Sequence, residues 1–388
     1  MRSRTPLHAE EISGSDSLAQ SERETARPPW RAWLGLIGLA LLVKALIVGV
    51  ALARASGGAD PVGTVFQQWN RWDAPHYLYI ATHGYATSGD PRNLIAFFPL
   101  YPALIAGLDH LGLAAPTAAL VLSNLGGLLA TILLFEIGRS DGDPTIGWRA
   151  AALFNIFPTA YFLFAGYTEG PFCALAFGAV LAARRRRFGV AGGLGALAAA
   201  MRLSGLALVP FLALEVYLAR RWIRGMVLAA ASVALIPLGF LAYLGVNWVV
   251  LRDPFAFVEV QRLHWYHRLS PPWEGLRGAI QSISWRPGTE RLTVGWGETL
   301  GGLSAYLVTG LSWLRLRWSD AAYATALTIL ITFLPFWLSL PRYLLGLYPL
   351  FLLAGRVRNR LVQGGVAAVS SAVLLVLSVL FASGDWAF

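Results

Sequence analysis

The chain has 388 residues, of which 56% are apolar and only 13% charged. That balance is about half the charge of a soluble domain and excludes one as the simple reading. The formal net charge of +10 is carried in short basic clusters between apolar runs, as in cytoplasmic loops of a membrane protein, and does not point to nucleic acid.

Residues 1–29 are polar, mixed in charge and unable to bury a core, so they are expected to be a disordered cytoplasmic tail. From Trp30 onward apolar stretches near the ~20 residues needed to cross a bilayer recur to the C-terminus. The expected spans are 31–53, 116–138, 148–165, 167–183, 188–201, 205–219, 226–250, 297–314, 319–340, 342–355 and 362–382. The run 94–112 is also apolar, but it contains Pro99, Pro102, Asp109 and His110. Letting it dip in and return keeps most of the 31 Lys and Arg residues, including Arg184 to Arg187, on the side of the N-terminus. The positive-inside rule favours that threading. The result is an all-α, polytopic bundle of about eleven spans plus one re-entrant helix, with residues 30–388 as one membrane domain and outer loops at 54–115 and 252–296. The stretch 188–219 lies between two basic clusters, so it is expected to be a hairpin turning near Arg202 and lining a cavity. Cys173 is alone in an apolar run and is expected to be a small buried hydrophobe.

With the topology set by charge, the unusual polar residues collect on one side. Charge near hydrocarbon is costly, and its concentration at one face marks a functional cavity. The first outer loop carries Arg71, Asp73 and His76 within RWDAPH. A carboxylate beside a cation and near a His suits general-base chemistry, although a local cap or ion pair is the commoner use of such an Asp. Glu169 follows Thr168 at a turn, where a helix N-terminus also favours an acid. Arg202 and Arg342 stand in otherwise apolar surroundings; a guanidinium binds phosphate in a bidentate way, with snorkelling to headgroups as the alternative. The loop after residue 252 adds Arg262, His264 and Arg268. His264 and His267 in HWYH are too few for a metal site, and Asp141 and Asp143 in SDGD lack the Glu that ends a calcium loop. No phosphate-cradling glycine loop follows a strand. An outward-facing enzyme without a nucleotide site needs a donor that reaches it through the membrane, and a polyprenyl-phosphate sugar does so.

Taken in order, the blocks WD-x-x-H at Trp72, Asp73 and His76, IA-x-x-GY at Ile80 to Tyr85, and AFFPLYP at Ala96 to Pro102 are followed by Y-T-E-x-x-F at Tyr167 to Phe172. Arg202 with Gly205, and Pro341-Arg342-Tyr343, complete the series. This order resembles the PIG-V family, the second mannosyltransferases of glycosylphosphatidylinositol assembly and their bacterial relatives, within the GT-C superfamily. The resemblance implies a GT-C fold, a polyprenyl-phosphate-mannose donor, a glycan or glycolipid acceptor, and an inverting transfer with neither metal nor other cofactor. It implies that Asp73 is the catalytic base; the residues themselves add Arg71, His76, Glu169, Arg202, Arg262, His264, Arg268 and Arg342 as substrate-binding candidates. An Arg-rich, Lys-poor, Ala/Gly/Leu-heavy composition reads as a high-GC bacterial protein, hence a bacterial cytoplasmic membrane with the site facing out. Two rival classes stay open at this level: a lipid or glycolipid transporter or flippase, and a binding subunit of a glycan-assembly complex.

Overall fold

The computed structural model describes residues 29–55, 60, 63, 67–220 and 225–388. The expected disordered tail, apart from Pro29, lies outside these residues, as do part of the first outer loop and Arg221 and Arg224. Among the described residues every regular element is helical.

Four helices among these residues are long and apolar enough to cross a bilayer: α1 (Trp30–Ala55), α4 (Ala115–Arg139), α9 (Met226–Leu251) and α15 (Arg360–Ser383). Between them lie α2 (Asp73–His83), α3 (Leu100–His110), α5 (Pro144–Ile156), α6 (Glu169–Arg184), α7 (Phe188–Met201) and α8 (Leu208–Ala219). After α9 come α10 (Ala256–His264), α11 (Pro272–Trp285), α12 (Glu298–Arg315), α13 (Trp318–Thr332) and α14 (Tyr348–Gly355).

The other expected spans are shorter or less apolar helices, and proline is the main reason. The run 148–165 stops at Ile156 because Phe157 precedes Pro158 and is extended, with φ −60° and ψ 145°. The run 319–340 stops at Thr332, just ahead of Pro335. The run 342–355 yields only the eight residues of α14, which carries Pro349 in its first turn, where proline is tolerated. Segment 94–112 becomes a tight turn (Asp90–Ala96) followed by the eleven residues of α3, roughly 17 Å long and shorter than a bilayer core. The expected hairpin does form: the chain breaks at Arg202, which is extended at φ −155° and ψ 146°, and Gly205 packs back onto Ala198 and Ala199.

Small residues set how closely the central helices approach, as is usual where lipid supplies no hydrophobic drive. At the crossing of α4 and α6 a methyl on Gly126 would come within 2.6 Å of the Gly170 carbonyl carbon, and one on Gly170 within 2.8 Å of the Gly127 nitrogen. We expect Gly170→Ala to push these backbones apart and to destabilise the protein by about 1–3 kcal/mol. A lowered thermal midpoint together with lost activity would bear this out, because Gly170 directly follows Glu169; an unchanged midpoint would show that the seam is loose.

The two ends of α6 hold two different charged clusters. Sixteen residues of helix separate them by about 24 Å. At the C-terminal end Arg184 pairs with Asp320 at 2.8 Å and with Asp141 at 2.9 Å. Tyr348 donates to Asp320 at 2.5 Å, and Arg356 reaches Asp141 at 3.2 Å. Arg184 is therefore buried among partners and is not an exposed member of the RRRR cluster. Asp143, next to this knot, caps α5 by accepting from the Thr145 N–H at 2.8 Å. Cys173 is fully buried.

Candidate active site

The N-terminal end of α6 is built around the YTE segment. Tyr167 is locked to α4: Ser123 Oγ donates to its carbonyl at 2.6 Å, and the Tyr101 hydroxyl lies 2.9 Å from the same Oγ. The Tyr167 hydroxyl in turn donates to the Arg71 carbonyl at 2.7 Å and accepts from the Asp73 N–H at 3.3 Å. It thereby shapes the turn in which Trp72 takes a positive φ of 57°, which is rare for a bulky residue. That turn starts α2 at Asp73.

Thr168 Oγ1 and Glu169 Oε1 both receive Arg202 Nη1, at 2.7 and 2.5 Å. Arg342 completes the set. Its Nη1 donates to Asp73 Oδ2 at 2.8 Å. Its Nε lies 3.1 Å from Glu169 Oε1 but off the hydrogen-bonding direction, so that pairing is Coulombic. The guanidinium is bordered by Phe162, Tyr167 and Tyr343 at 5.2–5.4 Å. Two carboxylates and two guanidiniums thus form one formally neutral chain, Asp73–Arg342–Glu169–Arg202. Glu169 and Arg342 are buried, whereas a quarter of the Asp73 side chain is exposed.

Arg342 is held from outside the quartet. It sits in a single helical turn, Leu340–Tyr343, entered through Ser339 at φ 68°. The Glu298 carboxylate, fully buried, accepts the Ser339 N–H at 2.6 Å and the Leu340 N–H at 2.9 Å. On the other side Thr159 Oγ1 donates to the Pro341 carbonyl at 3.0 Å. Glu298→Gln leaves one acceptor where there were two and sets an amide NH2 against a backbone donor. We expect a loss of about 1.5–3 kcal/mol of stability, read by thermal unfolding. An unchanged thermal midpoint would show that the turn holds its shape without the clamp.

These residues border a cavity of about 370 Å³, within the size range of small-ligand sites. Asp73, Arg202 and Arg342 line it, with Arg268 at its rim and a run of Leu330, Ile331, Leu334 and Leu338 as an apolar wall. Arg268 is two-thirds exposed and lies 3.8 Å from Glu274. Glu169 stands behind the two guanidiniums. His76 is half-buried with its ring 5.2 Å from that of Phe97, which lines the cavity. Arg71, two residues before Asp73 in sequence, points its guanidinium at Gly384. Arg262 and His264 are exposed on α10, outside the cavity lining. Sequence reasoning missed Glu298, Tyr77, Gln261 and Trp265. It also weighed His267 only as a metal ligand, although His267 does line the cavity.

A helical membrane protein with a small-ligand-sized cavity lined by guanidiniums and a carboxylate is the general class these features define. The comparisons narrow it: the family model described as Mannosyltransferase (PIG-V) matches residues 50–258, more than half of the chain. The chain belongs to the PIG-V mannosyltransferase family. It is 38% identical over 154 residues to GPI alpha-1,6-mannosyltransferase 2 of Cricetulus griseus, 37% of this chain and 30% of that one. It is likewise 38% identical over 169 residues to the Rattus norvegicus protein of that name, covering 40% of this chain and 34% of the relative. The Homo sapiens protein is 36% identical over 154 residues, 37% of this chain and 30% of its own length. The matched region thus spans about a third of each relative. Asp73, Glu169 and Arg202 fall within the family match, while His267, Glu298 and Arg342 lie beyond it.

Proposed function

We propose that this chain is a membrane mannosyltransferase of GT-C type that moves mannose from a polyprenyl-phosphate donor to a hydroxyl of a glycan or glycolipid. The observation that carries this reading is the Asp73–Arg342 pair at 2.8 Å on the wall of a cavity shared with Arg202. Residues 30–388 are taken as one membrane domain. The cavity lies at the end of α6 away from the arginine cluster, and cationic ends of membrane proteins face the cytoplasm. The transfer therefore takes place on the extracytoplasmic side of a cytoplasmic membrane, where a lipid-borne donor replaces a sugar nucleotide.

The donor's tail lies along Leu330, Leu334 and Leu338. Its phosphate takes the guanidinium groups of Arg202 and Arg342; the latter has spent Nη1 on Asp73, which leaves Nη2 for the ligand. Asp73 accepts the proton of the acceptor hydroxyl while that oxygen attacks the anomeric carbon from the face opposite phosphate. The C–O bond to phosphate breaks with its electron pair leaving on the phosphate oxygen, and one displacement inverts the configuration. Guanidinium charge offsets the negative charge that grows on the leaving group, so the step is read as metal-independent. His76, against Phe97, orients the acceptor, and Arg268 guards the rim.

The test is transfer of radiolabelled mannose from polyprenyl-phosphate-mannose by the purified protein, with fractionated membrane lipid and glycan as acceptors. Incorporation supports the reading and identifies the acceptor fraction. No incorporation by folded protein with fresh donor would overturn the mannose assignment and direct the assay to other lipid-linked sugars.

A further inference from the structure

The chain stays beside the quartet after α15 ends. Phe381, in the last turn of α15, stacks on Trp69 with ring centres 5.5 Å apart. It also meets Tyr167, the residue that holds the turn before Asp73, at 6.2 Å. Gly384, at φ 91°, then reverses the chain. Its N–H and that of Asp385 donate back to the carbonyls of Phe381 and Leu380, at 3.1 and 3.0 Å, the paired cap of a Schellman motif. Arg71 packs on this reversal, since a methyl on Gly384 would collide with its Nη1.

The next residues run between two acids of the site. Trp386 lines the cavity and meets the ring of Trp72 edge-on, with centres 5.0 Å apart. Trp72 is 38% exposed, carries the positive φ of its turn and directly precedes Asp73. Beyond Trp386, the Tyr161 hydroxyl donates to the Ala387 carbonyl, and Ala387 and Phe388 are buried. The Phe388 ring lies so close to Gly297 that a methyl there would collide with it. Gly297 directly precedes Glu298, whose carboxylate clamps the turn carrying Arg342. Residues 384–388 are thus anchored on both sides of Trp386 and touch the neighbour of each acid. Anchoring of that kind limits how far the Trp386 ring can swing, and support from behind is what keeps a reacting group in its productive place.

We propose that residues 384–388 are a positioning strap, in which Trp386 braces Trp72 and so keeps Asp73 in line with Arg342 for the transfer step. This rests on reading Asp73 as the base, and Trp386 acts through that residue without itself touching the reacting atoms. Trp386→Ala removes the brace. It should lower kcat for mannose transfer from polyprenyl-phosphate-mannose by about 10–100-fold, the cost of a small misplacement. The donor KM should stay within about twofold, because the guanidiniums are untouched. Trp386→Phe, which restores an aromatic ring against Trp72, should recover most of the rate. A raised KM at unchanged kcat, or no change in either, overturns the strap. A cycle with Asp73→Asn gives the sharper reading. If the brace works through the base, adding Trp386→Ala to Asp73→Asn costs less than about twofold more; a further loss as large as in the wild type overturns the proposal. Should Trp386→Ala fail to fold, Trp386→Leu, which keeps bulk without the ring, takes its place in the cycle under the same criteria. Wild-type transfer that Asp73→Asn leaves intact sinks the base assignment, and the strap with it, before any change at Trp386 is made.

Discussion

Asp73→Asn should reduce mannose transfer by about 10²–10⁴-fold, the range that general-base catalysis supplies, while the protein keeps its fold and binds donor normally. The amide oxygen can still accept from Arg342 Nη1, which now stands 2.8 Å from Oδ2, so the turn at Trp72 and the start of α2 are preserved. The side chain is a quarter exposed, which keeps the stability change small. What the substitution removes is a basic oxygen at the cavity wall. Transfer rates and donor affinity measured on the same preparation check the prediction. Activity within about tenfold of wild type, below the usual contribution of a general base, would remove Asp73 from the role.

Arg342→Ala should be the most damaging single change, in two ways at once. Deleting one member of a buried ionic network typically costs about 3–5 kcal/mol because the partner charge is left unpaired. Glu169 keeps Arg202 at 2.5 Å and Asp73 retains some water, so the lower end of that range is expected, read as a drop in thermal midpoint. Transfer should fall by about 10²–10³-fold, as when one electrostatic donor to the transition state is removed. Arg342→Lys keeps the charge but cannot reach Asp73 and Glu169 together, and should recover stability better than rate. Recovery of both would reduce Arg342 to a structural role.

Much of this site was visible in the sequence because charge in an apolar chain is conspicuous. Arg202 and Arg342 stand alone in hydrophobic stretches, Asp73 lies in the polar RWDAPH segment, and the loop-charge pattern placed all three at one end. Which groups pair was not visible. Arg71 is two residues from Asp73, yet the cation that reaches the carboxylate is Arg342, 269 residues away. The intervening helices decide that, and no local spacing encodes it. Glu298 was missed for a related reason: a carboxylate that clamps two backbone N–H groups leaves no signature in side-chain chemistry. In HWYH the i, i+3 spacing puts His264 and His267 on one helical face only if the helix continues. It ends at His264, and Tyr266 turns the chain back, so one histidine faces out and the other lines the cavity. The helical segments were largely legible, but their lengths were not, since prolines at 158 and 335 cut short runs that hydrophobicity alone would carry across a bilayer.

The quartet also has a consequence for how the protein is made. Its members lie at positions 73, 169, 202 and 342, so the ribosome delivers them in that order. Arg202 follows Glu169 by 33 residues, and the hairpin arm that ends in Arg202 supplies the first carboxylate partner soon after Glu169 is inserted. Asp73 waits for a residue 269 positions later. At roughly 5–20 residues per second that interval is on the order of tens of seconds. In the folded protein Asp73 remains the most exposed of the four side chains. The quartet is thus complete only once Arg342 has been made, and a nascent chain interrupted before that residue holds the acid without the arginine that pairs with it.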